Sequence, residues 1–445
     1  MKKTIIFILL LLITLITLIT LIIFNNEFIQ VKIMTSLVVL RGLVAPSCFW
    51  YKISDLFFKD GSGINIYNKL KNKYGDFAKV NIFNTDFYLV TNINYIKIIL
   101  DNSPDLFNVG SLKKNFFSSF MSKNVGISSG CPWKNRRKIN NYALDNEKIH
   151  RYSKIYDNYF NDITKINKKI IDFSVFSKIS KKTMCKVIFN ADSSEISDDV
   201  IKLFSEANNL AAFYNKLKID NTIFNNYKNT LYHYLNNPRK HSLVYLCLQI
   251  TKNKDEIYHQ IPHFIFPILG LFITSIPRLL CLLCNHLDIF QKVLIEISNN
   301  DVYNLNYLRK CILETLRLNN PVISLFRTLE KDISFNEINH FKKGTEFLIL
   351  TNPILRIEKY FKNSNSFIPE RWDKNMEDNY YSMSFSQGPQ KCPGKEIAIF
   401  LIQCFVFNLI KNNNINISNF KCNKKLDIKN IEQVINPCNI IFTIN

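Results

Sequence analysis

The residues best suited to chemistry lie in a ten-residue loop, Phe385 to Gly394, which carries a single cysteine, Cys392. Gly388 permits a turn with positive φ, and Pro393 has the backbone angle of the first turn of a helix. The run from Ile397 to Ile410 is almost entirely apolar, which predicts a helix buried on all sides. Cys392 is therefore expected at a helix N-terminus, where partial positive charge and free N–H groups favour the thiolate. Such a thiolate is a soft, electron-donating metal ligand.

A second candidate group lies on a helix predicted to begin after Gly130-Cys-Pro132. Trp133 and Arg137 are four residues apart, so they share one face of that helix. An indole N–H and a guanidinium only donate hydrogen bonds, which suits a carboxylate buried beside them. The same spacing also fits a surface basic helix with a packed tryptophan.

Two further segments carry charges at regular spacing. Glu314 precedes Arg317 by three residues on a helix predicted from Tyr303 to Leu318, and Pro369-Glu-Arg371 follows some fifty residues later. A carboxylate and a guanidinium three apart on a helix can pair. One such pair is common on surface helices, but a buried Glu between two Arg side chains would form a rigid network that locks the fold.

The cysteine loop resembles the haem-binding signature of the cytochrome P450 family, Phe-x-x-Gly-x-Arg-x-Cys-x-Gly, through Phe385, Gly388, Cys392 and Gly394. At the position of the family's Arg, this chain has Gln390. The Trp-x-x-x-Arg pair, the Glu-x-x-Arg helix and the Phe-x-Pro-Glu-Arg segment precede the loop in the family's order. The resemblance covers roughly residues 60 to 445, and a thiolate that holds haem iron supports O–O bond cleavage.

The resemblance implies a mainly α fold with small β-sheets and haem between buried helices. It implies that Cys392 is the axial ligand of the haem iron and that the loop residues named above contact the cofactor. The implied donors to the haem propionates are Trp133, Arg137 and Arg327. The implied structural lock is Glu314, Arg317 and Arg371.

The oxygen-activating helix departs from the family pattern, which is Ala/Gly-Gly-x-Asp/Glu-Thr. The corresponding stretch spans residues 267–277. When residues are counted back without gaps from the next helix, Gly270 falls at the position of the family's Asp or Glu, and Leu271 falls at the position of its Thr. A shift of register would bring Thr274, the candidate catalytic alcohol, near the oxygen, but no shift supplies a carboxylate. Pro277 lacks an N–H, so we expect a kink and a freed carbonyl one turn earlier.

The first residues predict a membrane anchor. Thr4 to Phe24 is uncharged and long enough to span a bilayer as a helix. We expect an anchor at 1–24, a linker at 25–62 and a cytochrome P450 catalytic domain at 63–445. Lys2 and Lys3 favour a cytosolic N-terminus, whereas the resemblance implies a catalytic domain in the cytosol at the endoplasmic reticulum, so the orientation stays open.

Composition narrows the class of partner. The net charge is +21, but no basic stripe interleaved with stacking aromatics predicts a nucleic-acid partner. A basic surface suits an anionic membrane or an acidic protein. The 11 cysteines are an odd number without a pairing pattern, which argues against a full disulfide framework and favours a reducing compartment.

Two other spacings do not predict a site. His259 and His263 are spaced like metal ligands, but Pro262 between them disrupts the helix that such a pair requires. Cys281 and Cys284 form a CxxC inside an apolar run, which indicates two small core residues.

Three functions remain open at this point. The resemblance implies a haem-thiolate monooxygenase that inserts one oxygen atom from O2 into an apolar small molecule. Its electrons would come from NADPH through an acidic flavoprotein, NADPH–cytochrome P450 reductase, docked on basic residues near the thiolate (Lys134, Arg136, Lys138, Lys391 and Lys395). The missing acid–alcohol pair and Gln390 leave two alternatives open. One is a haem-thiolate isomerase or dehydratase that acts on peroxides, and the other is a degenerate family member without turnover. No motif in the sequence identifies the substrate.

Overall fold

The computed structural model describes residues 63–82, 85–144, 150–166, 169–207 and 220–445. The expected anchor at 1–24 and the expected linker at 25–62 lie outside the described residues.

Helices dominate the described chain. The first nine are α1 Ile64–Tyr74, α2 Ile93–Asp101, α3 Ser111–Met121, α4 Gly130–Leu144, α5 Ser153–Ile163, α6 Phe173–Phe189, α7 Asp199–Ala207, α8 Asn221–Asn236 and α9 Leu243–Ile250. The remaining ones are α10 Lys254–Tyr258, α11 Ile261–Gly270, α12 Ile276–Asn285, α13 Leu287–Asn299, α14 Asn306–Leu318, α15 Thr351–Ile354, α16 Lys374–Glu377 and α17 Lys395–Asn412. A π-helical turn, Leu271–Ser275, joins α11 to α12.

The strands form small sheets. They are β1 Phe77–Ile82, β2 Thr85–Val90, β3 Phe107–Val109, β4 Ile170–Ile171, β5 Ser324–Leu329, β6 Ile333–Ser334, β7 His340–Phe341, β8 Glu346–Leu350, β9 Phe420–Cys422 and β10 Phe442–Ile444. The largest sheet has the order β1-β2-β8-β5-β3, with β2 and β8 parallel and the other neighbours antiparallel. Strand β10 lies between β4 and β9 in a second sheet, and β6 pairs with β7.

Two hydrophobic cores support these elements. The larger core packs α6, the π-turn, α12 and α17 around aromatic contacts such as Phe160 with Phe272 and Phe272 with Phe405. The smaller core lies between the five-stranded sheet and helices α1 and α2. The predicted mainly α fold with small sheets is therefore confirmed.

Local predictions also agree with the observed elements. The hairpin expected after the first helix is β1–β2, with Phe77 opposite Val90. The helix expected from Tyr303 begins at Asn306, after a 3₁₀ turn at Val302–Asn304. Helix α17 extends beyond the predicted apolar run at both ends, and the side chains from Ile399 to Ile410 are all buried in it.

Within the described residues, one helical run is long and apolar enough to cross a membrane, Lys254–Asn285. Most of it is buried inside the protein, as expected of a core helix. This run contains α10, α11, the π-turn and α12, and it forms one wall of the site described below.

Cysteines in the described part are mainly unpaired. Nine have free thiols, and Cys438 is disulfide-bonded. Cys281 and Cys284 both lie on α12, with Cys281 fully buried, in agreement with their interpretation as core residues.

Candidate functional site

The cysteine loop is a tightly hydrogen-bonded turn. The Cys392 amide donates to the carbonyl of Phe385 over 2.8 Å, and the Lys391 amide donates to the carbonyl of Gly388 over 3.0 Å. Gly388 has φ 72°, and a Cβ added there would lie 2.5 Å from the carbonyl oxygen of Leu100 on α2. The loop therefore requires glycine both for its backbone angle and for its contact with α2.

Polar side chains hold this loop against the helices around it. Gln387 Nε2 lies within 3.2 Å of three backbone carbonyl oxygens of residues 377–382. Arg309 on α14 donates to both Glu377 and Glu396, and Lys395 pairs with Glu377 over 2.7 Å. Glu396 also lies in the first turn of α17, where a negative charge is favourable. The position of Cys392 is thus fixed from both ends of the loop.

The Cys392 side chain has accessible surface although protein surrounds it. Burial raises the pKa of the Cys392 thiol, while a hydrogen bond from the Gly394 amide and the positive charges of Arg137 and Lys395 act to lower it. Accessible surface on a desolvated group indicates that Cys392 lies on the wall of an interior cavity. The expectation that the helix N-terminus alone would favour the thiolate is wrong here, because desolvation has the larger effect.

Helix α4 brings Arg137 to the same cavity and carries Trp133 one turn earlier. The positive charge of Arg137 interacts with Cys392, and desolvation lowers the pKa of this guanidinium. Within the described residues, neither the Trp133 indole N–H nor the Arg137 guanidinium has a hydrogen-bond partner or an ion pair. Two donor-only groups without acceptors therefore lie on the helix that passes the cysteine.

A network of polar side chains sets the position of α4. Gln260 accepts from Asn140 on α4 over 3.1 Å and from the Val125 amide over 3.0 Å, and it donates to backbone carbonyls. Arg136 binds Glu256 on α10 through two hydrogen bonds of 2.7 and 3.0 Å. The network anchors one side of α4 to α10 and α11 and leaves Arg137 for the cavity.

Arg327 extends from β5 and is nearly fully buried. Its guanidinium donates to Ser103 Oγ over 2.9 Å and to the carbonyl of Phe326 over 2.8 Å. Burial lowers the pKa of Arg327 to about 10. No carboxylate of the described chain pairs with it, so the charge of this buried cation is not compensated by the protein there.

Two residues that the sequence analysis did not assign to the site lie beside these cations. Lys113 on α3 and His263 on α11 meet beside Gly126, where an added Cβ would lie 3.5 Å from Lys113 Nζ and 3.4 Å from His263 Cε1. Burial and the charge of Arg327 lower the pKa of Lys113 to about 8. Burial and the charges of Lys113 and Arg137 lower the pKa of His263 to about 4, so His263 is neutral at pH 7.

Helix α11, which carries His263, presents one open face. Pro267 is exposed although Ile265 and Ile268 near it are buried, and a Cβ added to Gly270 would meet no atom within 4 Å. His263, Pro267 and Gly270 follow each other at the three- and four-residue spacing of a single helix face. This face of α11 therefore lines the interior cavity.

The π-turn places Thr274 next to this open face. Its hydroxyl is buried and donates to the carbonyl of Gly270 over 2.7 Å. The Ile276 amide donates to the carbonyl of Leu271, the five-residue step of a π-helix. Pro277 follows at once, so the expected local disturbance takes the form of a π-turn within a continuous helical run. Leu271, which the ungapped count put at the alcohol, is a buried apolar side chain.

Glu314 lies at the centre of a separate, fully buried network. It accepts two hydrogen bonds from Arg317, at 2.8 and 2.9 Å, and one from Arg371 at 3.1 Å. Arg317 in turn donates to the carbonyls of Leu355 and Ser364. Burial acts to raise the pKa of Glu314, but the two arginines hold it below its usual value. The structure brings these three predicted residues together away from Cys392, where they connect α14 to the loops before the cysteine segment.

Trp372 is a further member of this network that the sequence analysis missed. Its indole Nε1–H donates to Glu314 over 2.8 Å, and the amide of Ile368 donates to the same carboxylate over 3.1 Å. The position directly after Arg371 is the only sequence signal for Trp372, and that position does not specify the direction of a side chain.

The five basic residues predicted to dock a partner divide into two sets. Lys134, Lys138 and Lys391 are exposed. Arg136 is bound to Glu256 and Lys395 to Glu377, so these two charges are already neutralised within the protein.

Comparison with known proteins agrees with this arrangement. The cytochrome P450 family model matches residues 46–262 and 274–443. A probable cytochrome P450 515A1 of Dictyostelium discoideum is 23% identical over 401 residues, which cover 78% of this chain and 81% of that protein. Cytochrome P450 4g15 of Drosophila melanogaster is 28% identical over 142 residues, 28% of this chain but only 25% of that protein. The solved structure of retinoic acid bound cyanobacterial CYP120A1 has a TM-score of 0.67 and 17% identity, with 85% of this chain and 93% of that chain covered.

The chain therefore belongs to the cytochrome P450 family, and the resemblance noted from its motifs is confirmed. The fold matches as well. The interval that the family model leaves unmatched, residues 263–273, coincides with the cavity-facing part of α11 and the start of the π-turn.

The residues present fit the cofactor that this family implies. Haem carries one iron and two carboxylates, and the cavity wall offers one cysteine and several cations that lack carboxylate partners among the described residues. Cys392 would hold the iron, and Trp133, Arg137 and Arg327 would donate to the propionates. Gly388 and Gly394 are the two positions of the loop without a side chain.

Proposed function

We propose that the protein is a haem-thiolate monooxygenase that inserts one oxygen atom from O2 into an apolar small molecule. The observation that carries this proposal is the placement of Cys392 on an interior cavity wall beside Arg137, in a chain of the cytochrome P450 family. Haem held by a cysteine thiolate supplies the dioxygen chemistry.

The chain's own residues have four tasks in this proposal. Cys392 holds the iron, and Gly394 donates its amide to the sulfur and so favours the charged form. Arg137 and Arg327 neutralise the two propionates, while the Trp133 N–H adds a neutral donor. The apolar wall of α11 excludes water from the substrate and gives the cavity a preference for apolar molecules.

Thr274 has the fourth task. Its Oγ1 keeps a proton directed at the carbonyl of Gly270 and can pass it to a group in the cavity. The turn 270–274 contains no carboxylate, so protons must reach Thr274 through water or backbone carbonyls. The helix offers such carbonyls because Pro267 and Pro277 donate no amide hydrogen bonds.

Two measurements test the function. The ferrous protein with carbon monoxide should give the strongly red-shifted Soret band of a thiolate-ligated haem. In turnover supported by reductase and NADPH, Thr274→Val should lower product formed per NADPH by roughly a hundredfold, the scale of a lost proton donor. Thr274→Ser, which keeps the hydroxyl, is the matched control. If Thr274→Val forms as much product per NADPH as the unmodified protein, Thr274 does not have this role.

The absent carboxylate also favours a second candidate, a haem-thiolate isomerase or dehydratase of peroxides, which needs neither reductase nor proton delivery. Rapid conversion of a lipid hydroperoxide without NADPH, together with no product in the reductase assay, would favour it. A well-folded protein without a haem spectrum would instead indicate a degenerate member that binds a lipid or a partner.

The proposed partner is NADPH–cytochrome P450 reductase, an acidic flavoprotein, with NADPH acting only through it. The exposed cations Lys134, Lys138 and Lys391 support this docking. We further propose a single-pass anchor at residues 1–24 and a catalytic domain on the cytosolic side of the endoplasmic reticulum, supported by the uncharged run from Thr4 to Phe24.

A further inference from the structure

Three cysteines meet where helix α12 packs against the terminal sheet, and the proposed reaction uses none of them. Cys281 and Cys284 lie on α12, and Cys422 lies on the buried face of β9. The Cys281 thiol donates a hydrogen bond to the Cys422 sulfur. Cys284 is near enough for the charge of Cys422 to affect its pKa. The hydrogen-bonded partner of Cys281 is therefore a residue of the terminal sheet and not its neighbour in the CxxC sequence.

Asn285 holds the two elements in this register. It follows Cys281 by four residues on α12, so both side chains lie on one face of the helix. Its Nδ2 donates to the carbonyl of Lys424 over 3.0 Å, and its Oδ1 accepts from the Leu426 amide over 3.0 Å. The chain directly after Cys422 is thus fixed to α12 by two hydrogen bonds. The contact between the two sulfur atoms follows from the packing of the backbone and does not depend on mobile side chains.

The two sulfur atoms differ in character. The Lys424 amide donates to Cys422 Sγ over 3.4 Å. The hydrogen bond from Cys281, this amide and the charges of Lys425 and Lys424 lower the pKa of Cys422, although burial acts to raise it. The pKa of Cys281 is raised because its proton is held by Cys422 and because it is buried. The pair therefore combines a thiolate with a thiol in contact with it, as a nucleophile and a resolving cysteine require.

We propose that Cys422 and Cys281 form a reversible disulfide when the protein meets a hydroperoxide. Cys422 is 8% exposed and Cys281 is fully buried, so a small oxidant reaches Cys422 first. This proposal does not depend on the function proposed above. The oxidised protein would have α12 covalently joined to β9.

The reaction has two steps. The Cys422 thiolate attacks the terminal oxygen of the hydroperoxide, so an S–O bond forms, the O–O bond breaks, and the leaving alkoxide or hydroxide takes a proton from solvent. The Cys281 sulfur then attacks the sulfenic acid, so the S–S bond forms, the S–O bond breaks, and hydroxide leaves as water with the Cys281 proton. Two electrons pass from the sulfurs to the peroxide. A thiol reductant reverses the change by exchange, which suits a reducing compartment where disulfides are transient.

The experiment uses the purified haem protein and three variants. Cys422→Ser removes the nucleophile, and Cys281→Ser keeps a hydrogen-bond donor beside Cys422 but forms no disulfide. Cys284→Ser is the matched control, because Cys284 is a thiol on the same helix near the same sulfur. Far-UV circular dichroism establishes that each variant is folded. If Cys422→Ser does not fold, Cys422→Ala takes its place.

Each protein is treated with hydrogen peroxide, the excess is removed with catalase, and free thiols are alkylated in denaturant before digestion with trypsin. Mass spectrometry of the unmodified protein should show the peptide 279–292 joined to the peptide 422–424, and dithiothreitol should separate them. The first peptide contains both cysteines of α12, so the variants identify the partner. The joined peptides should persist in Cys284→Ser and be absent from the other two variants. In Cys281→Ser the reaction should stop at the sulfenic acid of Cys422, which dimedone traps.

The exposed thiol of Cys131 reports whether the peroxide dose was sufficient. If Cys131 is oxidised while Cys281 and Cys422 of the unmodified protein are both fully alkylated, the inference is overturned. Joined peptides that persist in Cys281→Ser and disappear in Cys284→Ser would also overturn it, because they would make Cys284 the partner. The mapping of the unmodified protein decides the first point even where a variant does not fold.

Discussion

Two tryptophans with different surroundings allow a test that separates what holds the fold from what holds the cofactor. Trp372 donates to the fully buried carboxylate of Glu314 over 2.8 Å. Trp133 has no acceptor within the described residues. Replacement by phenylalanine removes the N–H in both cases and keeps an aromatic ring. We expect Trp372→Phe to lower folding stability and Trp133→Phe to weaken haem retention.

The expected magnitudes follow from the partners. A hydrogen bond to a charged acceptor contributes about 1.5–3 kcal/mol, so Trp372→Phe should lower the free energy of unfolding by at least that amount, since the smaller ring also loses packing. Trp133→Phe breaks no hydrogen bond within the described protein and should change the free energy of unfolding of the haem-free protein by less than about 0.5 kcal/mol. With a propionate as acceptor, it should speed haem release by roughly three- to tenfold, as for a neutral donor.

Urea unfolding followed by far-UV circular dichroism measures the first effect, and haem transfer to apomyoglobin measures the second. If Trp372→Phe leaves the urea midpoint unchanged, the Glu314 network does not stabilise the fold as argued. If Trp133→Phe destabilises the haem-free protein and leaves haem release unchanged, Trp133 is a packing residue and its assignment to the cofactor fails.

Three further predictions concern the loop and the network. Cys392→Ser should abolish the red-shifted carbon monoxide spectrum while the far-UV spectrum is kept, and a retained spectrum would exclude Cys392 as the ligand. Gly388→Ala should prevent accumulation of folded haem protein, because the added Cβ would lie 2.5 Å from a backbone oxygen. Gly394→Ala should be tolerated, because the nearest atom to its added Cβ would lie at 3.6 Å. Equal yields of the two variants would contradict this prediction. The pKa of Glu314 is held low in the fold, so its contribution to stability is present at neutral pH and lost as the pH falls below about 4. Acid unfolding followed by circular dichroism should show this loss, and Glu314→Gln should lose less stability over the same pH range, because other carboxylates with lowered pKa values still titrate. An equal loss in both proteins would contradict the role of Glu314.

The fold and the approximate positions of the main elements were predictable because their signals are local. The apolar run before Ile410, the alternation around Phe77 and the glycine at 388 each restrict the backbone over a few residues. The contact between Glu314 and Arg317 was also predictable, since three residues on a helix fix their relative position.

The missed residues depend on contacts between distant segments. Lys113 reaches the site only because α3 packs beside Gly126 and α11 passes the same point. Trp372 meets Glu314 from 58 positions further along the chain. The direction of the Cys392 pKa was predicted wrongly for a related reason, since a sequence shows the helix N-terminus but not the protein that desolvates the sulfur.

The helix over the cavity departs from the family's sequence pattern but still places a hydroxyl group next to the cavity. Pro267 and Pro277 flank a stretch that the family model does not match up to residue 273, and the match resumes at Thr274. The π-turn between the prolines adds one residue to a helical turn, which changes the register of everything after it. A count without gaps must then misplace the alcohol, whereas the bond from Thr274 to the carbonyl of Gly270 fixes it directly. The absence of the family's acid–alcohol pair is thus compatible with a hydroxyl group beside the cavity. The product formed per NADPH by Thr274→Val decides whether that hydroxyl delivers protons without a carboxylate.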